Sequence, residues 1–332
     1  MHLFLLGAGF DIDATREARP ICGSSICVGR YEIDCSYPLI ADVLKLCFGL
    51  NALPAGKSVE DLFADAEEAG NYQPMKLLVD RLMEADYRIA QRLATSESPN
   101  SYREFFRRFS DAQILTFNYD SLPEIFLSQE GRWCPEDGYG APVLTELAFG
   151  MTPAPHARSS SCVIHLHGSA CVFTIESEIL GDPAAGVAEL VLREEPRYAF
   201  DPDSISHCFP RWRRVMSRTG HVSIEERVIA PVPDKGKGLK KPFIRQSYAS
   251  ALELIRQIGS VTVIGYSFNP HDRASCAPLL DALKQTADRT LVLVSPQARE
   301  LGTRVSTDYP ELRVHPVEKT FGQWAADSFR VP

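Results

Sequence analysis

The sequence predicts an α/β protein with a Rossmann-like, doubly wound parallel sheet and helical insertions. Two observations support this fold class. Short apolar runs that end in turn residues recur along the chain, and segments with apolar residues about one helical turn apart separate several of them. Strands that alternate with helices are typical of a parallel sheet. A continuous apolar run fits such a strand, because helices cover both faces of the sheet.

Six apolar runs are predicted to be the strands of this sheet. They are His2 to Leu6, Gln113 to Phe117, Cys162 to Leu166, Val261 to Ile264, Thr290 to Val294 and Leu312 to His315. The spacing of the large apolar residues predicts a helix over 246–258, before the fourth strand, and another over 275–287, between the fourth and fifth strands.

The predicted Rossmann-like core combines residues 1–57, 110–172 and 242–332. Residues 58–109 have a helical pattern almost throughout, and they are predicted to be an insertion packed over the sheet. Residues 173–241 are predicted to be a second, mixed insertion, in which six prolines indicate short helices and loops. Its lysine-rich segment, 235–241, is expected to be mobile.

Composition and charge narrow the class of protein. The chain has 332 residues, 45% of them hydrophobic, so it is long enough to bury a core and is not disordered. Lys and Arg number 35 against 43 Asp and Glu, which argues against nucleic acid as a partner. No apolar stretch approaches the roughly 18 residues of a membrane span, and the N-terminus lacks a signal-peptide pattern. We therefore expect a cytoplasmic protein with no membrane partner.

Two polar motifs follow the first two predicted strands. Gly7 to Phe10 (GAGF) can bring backbone N–H groups against a phosphate at a helix start. Ile12 stands where the usual third glycine would be, and a tight turn that binds nothing is an equal alternative. Thr116 to Asp120 (TFNYD) leaves its strand at the carboxyl end, where ligands bind in open α/β sheets. Asn118 there could hold a water or a sugar hydroxyl, and Asp120 a ribose hydroxyl; ordinary turn capping is the alternative.

Two more motifs follow the third and fourth strands. His165 to Ser169 (HLHGS) places both histidines on one face, unless the strand has already ended. A histidine at a strand exit can act as a general base near neutral pH, although a buried structural histidine is the common alternative. No third ligand lies at a familiar spacing for a metal, and the nine cysteines form no C-x2-C pair. Gly265 to Asp272 (GYSFNPHD) permits close backbone approach at Gly265 and offers Ser267 to a phosphate. All four exits are expected to meet at one rim of the sheet.

The four motifs, in this order, resemble those of the sirtuin superfamily, and more closely its bacterial SIR2-like branch. Sirtuins carry GAG-x-S, T-Q-N-I-D, H-G and G-T-S elements, and the SIR2-like branch carries T-x-N-Y-D, H-L-H-G-S and I-G-Y-S-x-x-x-x-D. This chain has GAGFD, TFNYD, HLHGS and IGYSFNPHD. The stretch from Ile229 to Ala251 is also similar to the segment that precedes the last motif in that branch. The resemblance implies a Rossmann-like sheet with an inserted smaller domain and NAD+ as the ligand.

Carried onto this chain, the resemblance assigns Asn118 and His167 to the catalytic pair, with Asp120 ordering the nicotinamide ribose. The residues that it places at the dinucleotide site are Gly7, Ala8, Gly9, Phe10, Asp11, Thr116, Asp120, Gly168, Gly265, Tyr266 and Ser267. The chain departs from the family pattern twice. Asp11 replaces the usual serine, which puts an anion near a pyrophosphate unless the side chain points away. The four-cysteine zinc ribbon of the deacetylases is missing, so no zinc is expected.

The resemblance implies an NAD+ glycohydrolase that consumes NAD+ as its substrate and requires no cofactor. Nicotinamide is a good leaving group, so its release gives the ribose oxocarbenium character, and the protein must hold that ribose and place one proton acceptor. Asn118 would position the water or the 2′-hydroxyl, and His167 would act as the base. Two alternatives stay open: a sirtuin-type deacylase or ADP-ribosyltransferase, and a sensor that binds NAD+ or ADP-ribose with little turnover.

Bacterial SIR2-like proteins often act in anti-phage defence, where depletion of NAD+ halts the infected cell. Such chains usually carry a sensor domain or a partner, and this one has about 50 residues after its last motif. The resemblance therefore leads us to expect activation by a protein partner or by homo-oligomerisation.

Overall fold

The computed structural model describes residues 2–13, 26–28, 31–33, 40–79, 81–82, 85, 89, 100–145, 158–169, 172–182, 186–200, 222–223, 231–232 and 234–330. Its largest feature is a six-stranded sheet in which every neighbouring pair is parallel. Helices flank this sheet, so the predicted α/β, Rossmann-like fold class is confirmed.

The described residues form twelve strands. In chain order they are β1 (Leu3–Leu6), β2 (Ile26–Val28), β3 (Tyr31–Ile33), β4 (Gln113–Thr116), β5 (Leu144–Thr145), β6 (Val163–His165), β7 (Val172–Asp182), β8 (Val187–Phe200), β9 (Val222–Ser223), β10 (Ser260–Ile264), β11 (Thr290–Val294) and β12 (Arg313–Val317). Strands β2 and β3 form a separate antiparallel pair, and β5, β8, β7 and β9 form a four-stranded sheet. All six predicted core strands are confirmed, with ends that differ by at most two residues.

The strand order of the large sheet is β12–β11–β10–β1–β4–β6. The chain enters at β1 in the middle, moves to one edge through β4 and β6, and then crosses back to β10 on the other side of β1. This is the strand order of dinucleotide-binding α/β sheets. The reversal lies between β1 and β10, and ligands of open α/β sheets bind at the carboxyl ends of the strands at such a point.

The helices of the described residues connect and cover these strands. They are α1 (residues 8–13), α2 (Ile40–Phe48), α3 (Val59–Glu68), α4 (residues 73–79), α5 (Ser101–Arg108), α6 (Leu122–Gln129), α7 (Pro135–Gly138), α8 (Pro242–Ile258), α9 (Arg273–Lys284), α10 (Ala298–Asp308) and α11 (Phe321–Ala326). Short 3-10 helices cover Gly238–Lys240 and Pro270–Asp272. Within the part of the chain that is described, no helix combines the length and the apolarity needed to cross a membrane.

The core surrounds β1, whose four residues are all buried. Successive strand residues point to opposite faces, so burial of all four requires cover on both faces of the sheet. On one face, the Phe4 ring packs edge-on against Phe105 and Phe109, with centroids 4.9 and 5.0 Å apart. Such aromatic pairs add about 0.5–1.5 kcal/mol each beyond the area that they bury.

The predicted helical insertion, 58–109, is mostly helical where it is described, and its helices divide between two apolar clusters. Helix α5 belongs to the main core through Tyr102, Phe105 and Phe106. Helices α3 and α4 instead pack with α2 around a second cluster that includes Phe63 and Val79. This division follows from the apolar faces that the helices offer, since each must be buried against a partner.

The prediction of short helices and loops for the second insertion is wrong over 173–182 and 187–200. Strands β7 and β8 form a long antiparallel hairpin there. The hairpin tolerates Pro196 because the register shifts from Ile175 paired with Arg197 to Ser177 paired with Leu192. The proline therefore lies in an irregularity, where its missing N–H costs no ladder hydrogen bond.

The expectation that 235–241 is mobile also differs from the structure. Lys235 is buried and forms an ion pair with Asp272, and Gly238–Lys240 is a 3-10 helix that leads into α8. The lysine-rich composition indicated a solvated segment, but one of its ammonium groups has a carboxylate partner. A buried charge is retained in this way only when it is paired.

Candidate functional site

Three glycines allow the exits of β1 and β10 to touch. A Cβ atom on Gly7 would lie 2.7 Å from Tyr266 Cα, and one on Gly9 would lie 2.8 Å from Gly265 Cα. Gly265 itself has φ of +67°, and a Cβ there would lie 2.3 Å from the Phe10 backbone nitrogen. Real Cβ atoms do not approach this closely, so the glycines are required by contact between the two exits at the switch point.

The same contact uses the N–H groups that the GAGF motif was expected to offer to a phosphate. The Gly7 N–H donates to the Ile264 carbonyl at 3.0 Å, and the Gly9 N–H donates to the Gly265 carbonyl at 2.9 Å. The Phe10 N–H donates to the Gly7 carbonyl at 2.9 Å. Ala8 between them is exposed. The motif therefore fixes the shape of the switch point, and three of its backbone donors are committed within the protein.

A cleft of about 230 Å³ opens beside this contact at the carboxyl edge of the sheet. Its walls come from the exits of β1, β10 and β11 and from the start of α11, and they include Gly9, Gly265, Tyr266, Ser267 and Lys319. Ser267 is exposed, as a hydroxyl that contacts a ligand must be. The residues that line this cleft do not include Asn118 or His167.

Asn118 lies at the carboxyl end of β4 and is held by three hydrogen bonds. Its backbone N–H donates to Thr116 Oγ1 at 3.0 Å, and its carbonyl is 2.9 Å from His165 Nδ1. Its side-chain Nδ2 donates to Asp11 Oδ2 at 2.6 Å. Thr116, predicted to lie at the dinucleotide site, is thus a buried support of Asn118. A side chain held at both backbone groups and at the amide is pre-organised for recognition.

The residue that fixes His165 was missed in the sequence. His165 Nε2 is 2.6 Å from Glu124 Oε1, and both side chains are fully buried. Burial alone would lower the pKa of His165, but the Glu124 carboxylate and the Asn118 carbonyl outweigh it and raise that pKa above its usual value. Glu124 lies in α6, in the apolar setting LPEIF, and only an acidic residue at a position that is otherwise core could have indicated it.

Asp11 and Asp120 form a buried pair beside Asn118. They are 6% and 3% exposed. Burial raises the pKa of Asp120, against a smaller lowering by Asp11, and Asp120 Oδ1 accepts the Leu122 N–H at 3.1 Å. The hydrogen bond to Asn118 turns the Asp11 side chain toward the exit of β4.

His167 follows β6 and faces a different set of groups from His165. Its Nε2 is 3.1 Å from Ser275 Oγ, and its ring lies 4.7 Å from the Phe117 ring. The strand ends at His165, so the two histidines do not continue its alternation. His167 is 4% exposed, and burial lowers its pKa to about 3, with Asp272 opposing and Lys235 reinforcing the shift. It is a neutral imidazole at neutral pH.

The burial of His167 predicts a pH dependence of stability. An unfolded histidine binds a proton near pH 6.5, whereas folded His167 stays neutral down to about pH 3. The free energy of unfolding should therefore decrease as the pH is lowered between these values, by about 1.4 kcal/mol per pH unit from this group alone. Between pH 6 and pH 4, the free energy of unfolding measured in urea should decrease less steeply for His167→Gln than for wild type, by about that slope. The exposed His315, changed to Gln, is the matched control; equal slopes in wild type and His167→Gln would contradict the burial.

The structure brings the exits of β4, β6 and β10 together through an aromatic row. Tyr266 stacks on Phe117 at 4.6 Å, and Phe117 in turn contacts His167.

Two other residues predicted to line the dinucleotide site are buried. Phe10 is completely buried, with its ring 4.7 Å from Phe321 in the core. Gly168 is buried with φ of +90° at the β6 exit.

Among the described residues, no group of three or more His, Cys, Asp or Glu side chains is arranged to hold a metal ion.

Comparison with known proteins adds no family assignment. No protein-family model matches the chain, and no curated protein is significantly similar to it.

Proposed function

We propose that the chain is an NAD+ glycohydrolase, which breaks the bond between nicotinamide and ribose to release nicotinamide and ADP-ribose. The observation that carries the proposal is Asn118, fixed by three hydrogen bonds at the carboxyl end of β4, one strand from the switch point. The SIR2-like pattern of TFNYD, HLHGS and IGYSFNPHD supports the choice of NAD+ over other nucleotides.

In this proposal the dinucleotide lies along the carboxyl edge of the sheet. The cleft beside Gly265 and Ser267 takes the adenosine end or part of the pyrophosphate, since its 230 Å³ is below the roughly 300 Å³ of a whole small-molecule site. Lys319 also lines this cleft, with its ammonium group paired to Asp327. The nicotinamide ribose then extends across β1 toward Asn118.

The chemistry requires little from the protein beyond position. As the C1′–N bond breaks, its electron pair goes to the nicotinamide ring nitrogen and the ribose becomes an oxocarbenium ion. Asn118 Oδ1 accepts a hydrogen bond from a water, and the water oxygen bonds to C1′. The added water is then a strong acid, so even an imidazole with the low pKa of His167, about 3, can accept its proton. His167 is thus a late proton acceptor in this scheme and not a base that ionises water beforehand.

One observation favours a sensor that binds NAD+ or ADP-ribose with little turnover. His167 is buried against Ser275, and neither it nor Asn118 lines the cleft described above. In a sensor the same dinucleotide binds at the carboxyl edge and remains intact.

Incubation of the purified chain with NAD+ alone tests the proposal. We expect nicotinamide and ADP-ribose in equal amounts, with no increase when an acyl-lysine peptide is added. Binding of NAD+ in a calorimeter without either product favours the sensor. Release that depends on the peptide, with a modified peptide or acylated ribose product, favours a deacylase or transferase. If the chain neither binds NAD+ nor releases nicotinamide from it, the proposal is overturned.

The proposal extends to anti-phage defence, in which loss of NAD+ halts the infected cell, and to activation by a protein partner or by self-assembly. These roles rest on the resemblance. The solution mass measured with and without NAD+ tests self-assembly, and a monomer under both conditions would contradict it.

A further inference from the structure

We infer that Asp11 is a positioning residue that orients the Asn118 amide, so that its carbonyl oxygen is presented to the nicotinamide ribose or to the attacking water. The inference rests on the proposed function. Asp11 belongs to α1, directly after the glycine turn, whereas Asn118 follows β4. Their hydrogen bond, 2.6 Å from Nδ2 to Oδ2, joins residues 107 positions apart.

The chemistry of the two groups fixes the direction of the amide. An ionised carboxylate only accepts hydrogen bonds, so Asn118 must turn an N–H toward it, and Oδ1 then points to the other side. Amide oxygen and nitrogen are otherwise nearly equivalent in shape, and an asparagine without such a partner can adopt either orientation. Only the orientation that Asp11 selects offers an acceptor to a ribose hydroxyl or a water.

Asp120 lies buried beside this pair, and burial raises its pKa. Its Oδ1 accepts the Leu122 N–H at 3.1 Å. The Asp11 oxygen that faces the amide, Oδ2, acts as an acceptor, because the Asn118 N–H donates to it.

The other groups that contact Asn118 hold its backbone and do not fix the orientation of its side-chain amide. Thr116 Oγ1 takes the backbone N–H, and His165 contacts the carbonyl. A loss of Asp11 therefore leaves Asn118 in place but releases its side chain. The expected consequence is a lower kcat with little change in KM, since the substrate still binds and only the reacting geometry is lost.

The test compares Asp11→Ala with Asp11→Asn. Asparagine at position 11 can accept from Asn118 through its own carbonyl and donate through its NH2 group to a carboxyl oxygen of Asp120, so the orientation survives. We expect Asp11→Ala to lose about 10- to 100-fold in kcat for nicotinamide release with KM nearly unchanged, as for other supporting partners of a catalytic group. Asp11→Asn should recover most of that loss. In an Asn118→Ala background, Asp11→Ala should cause no further loss.

A second readout does not depend on turnover. The Asn118 side-chain amide signals, identified by NMR from their absence in Asn118→Ala, should shift and exchange faster in Asp11→Ala and stay near wild type in Asp11→Asn. If Asp11→Ala does not fold, Asp11→Leu, which fills the volume without a polar group, replaces it. The matched control is Asp111→Ala, an exposed aspartate before β4 at the opposite edge of the sheet.

The outcomes separate the inference from the proposed function. Full kcat in Asp11→Ala, failure of Asp11→Asn to rescue, or unchanged Asn118 amide signals would each overturn the role of Asp11. If wild type releases no nicotinamide, the proposed function fails, and the NMR comparison alone decides whether Asp11 orients the amide.

Discussion

Replacement of Gly265 by alanine should lower the free energy of unfolding by about 3 kcal/mol or more. The new Cβ would lie 2.3 Å from the Phe10 nitrogen. Neither atom can rotate away, because the nitrogen is part of the backbone and the Cβ is bonded directly to it. The residue would also have to keep φ of +67°, which is unfavourable for any residue with a side chain. Either β1 and β10 must separate at their exits or the chain must give up this turn. Urea unfolding measures the loss.

Gly56→Ala is the matched control for the backbone term. Gly56 has a similar φ of +74°, but a Cβ there would meet nothing within 4 Å. We therefore expect a cost of about 1 kcal/mol from the left-handed conformation alone. Equal losses in the two variants would show that the exits of β1 and β10 are not in contact, and would contradict the switch-point geometry.

Asn118→Ala should reduce nicotinamide release by about 100-fold or more, the usual effect of removing a group that stabilises or positions the reacting atoms. The side chain is only half-buried and its backbone bonds to Thr116 and His165 remain, so the fold should persist. In the proposed binding mode NAD+ should still bind, because the cleft beside Ser267 would hold its adenosine end. Product release and NAD+ affinity, measured on the same preparation, separate the two effects.

Asn51→Ala is the control for an asparagine away from the site, since Asn51 is exposed and lies in a bend between α2 and α3. It should keep wild-type release. Undiminished release by a folded Asn118→Ala would remove this residue from the mechanism, and equal losses in both variants would point to stability and not to catalysis.

The strands of the large sheet were predictable because parallel strands buried on both faces appear as continuous apolar runs. Thr290 to Val294 matches β11 at both ends, and Val261 to Ile264 misses β10 by one residue. Helices were predictable from the spacing of their apolar residues, although the helix predicted over 246–258 begins four residues earlier, at Pro242. In each case the pattern lies within one short segment of the chain.

The β7–β8 hairpin was missed although part of its pattern is local. The segment VFTIESEIL is rich in β-branched residues, but the prolines around it indicated loops. One of those prolines, Pro196, lies in β8 at the shift of register, and sequence alone does not reveal that the partner strand leaves room for it.

In the candidate site, too, the local features were predictable from the sequence and the long-range contacts were not. The sequence located Asn118 at a strand exit, because both the apolar run and the polar residues that end it are local. It did not reveal Asp11, His165 and Glu124 as the supports of Asn118, since those contacts join segments that only the folded sheet brings together. The family pattern also has serine at position 11, so it did not indicate that a carboxylate there would bind the Asn118 side-chain amide.

A crystal structure of Asn118→Ala grown with NAD+ tests most directly whether one dinucleotide site runs along the carboxyl edge. We expect intact NAD+ with its adenosine end beside Ser267 and its nicotinamide ribose next to position 118, close to the Asp11 and Asp120 carboxyl groups. A dinucleotide bound elsewhere, or with its nicotinamide directed away from the exits of β4 and β6, would contradict the account.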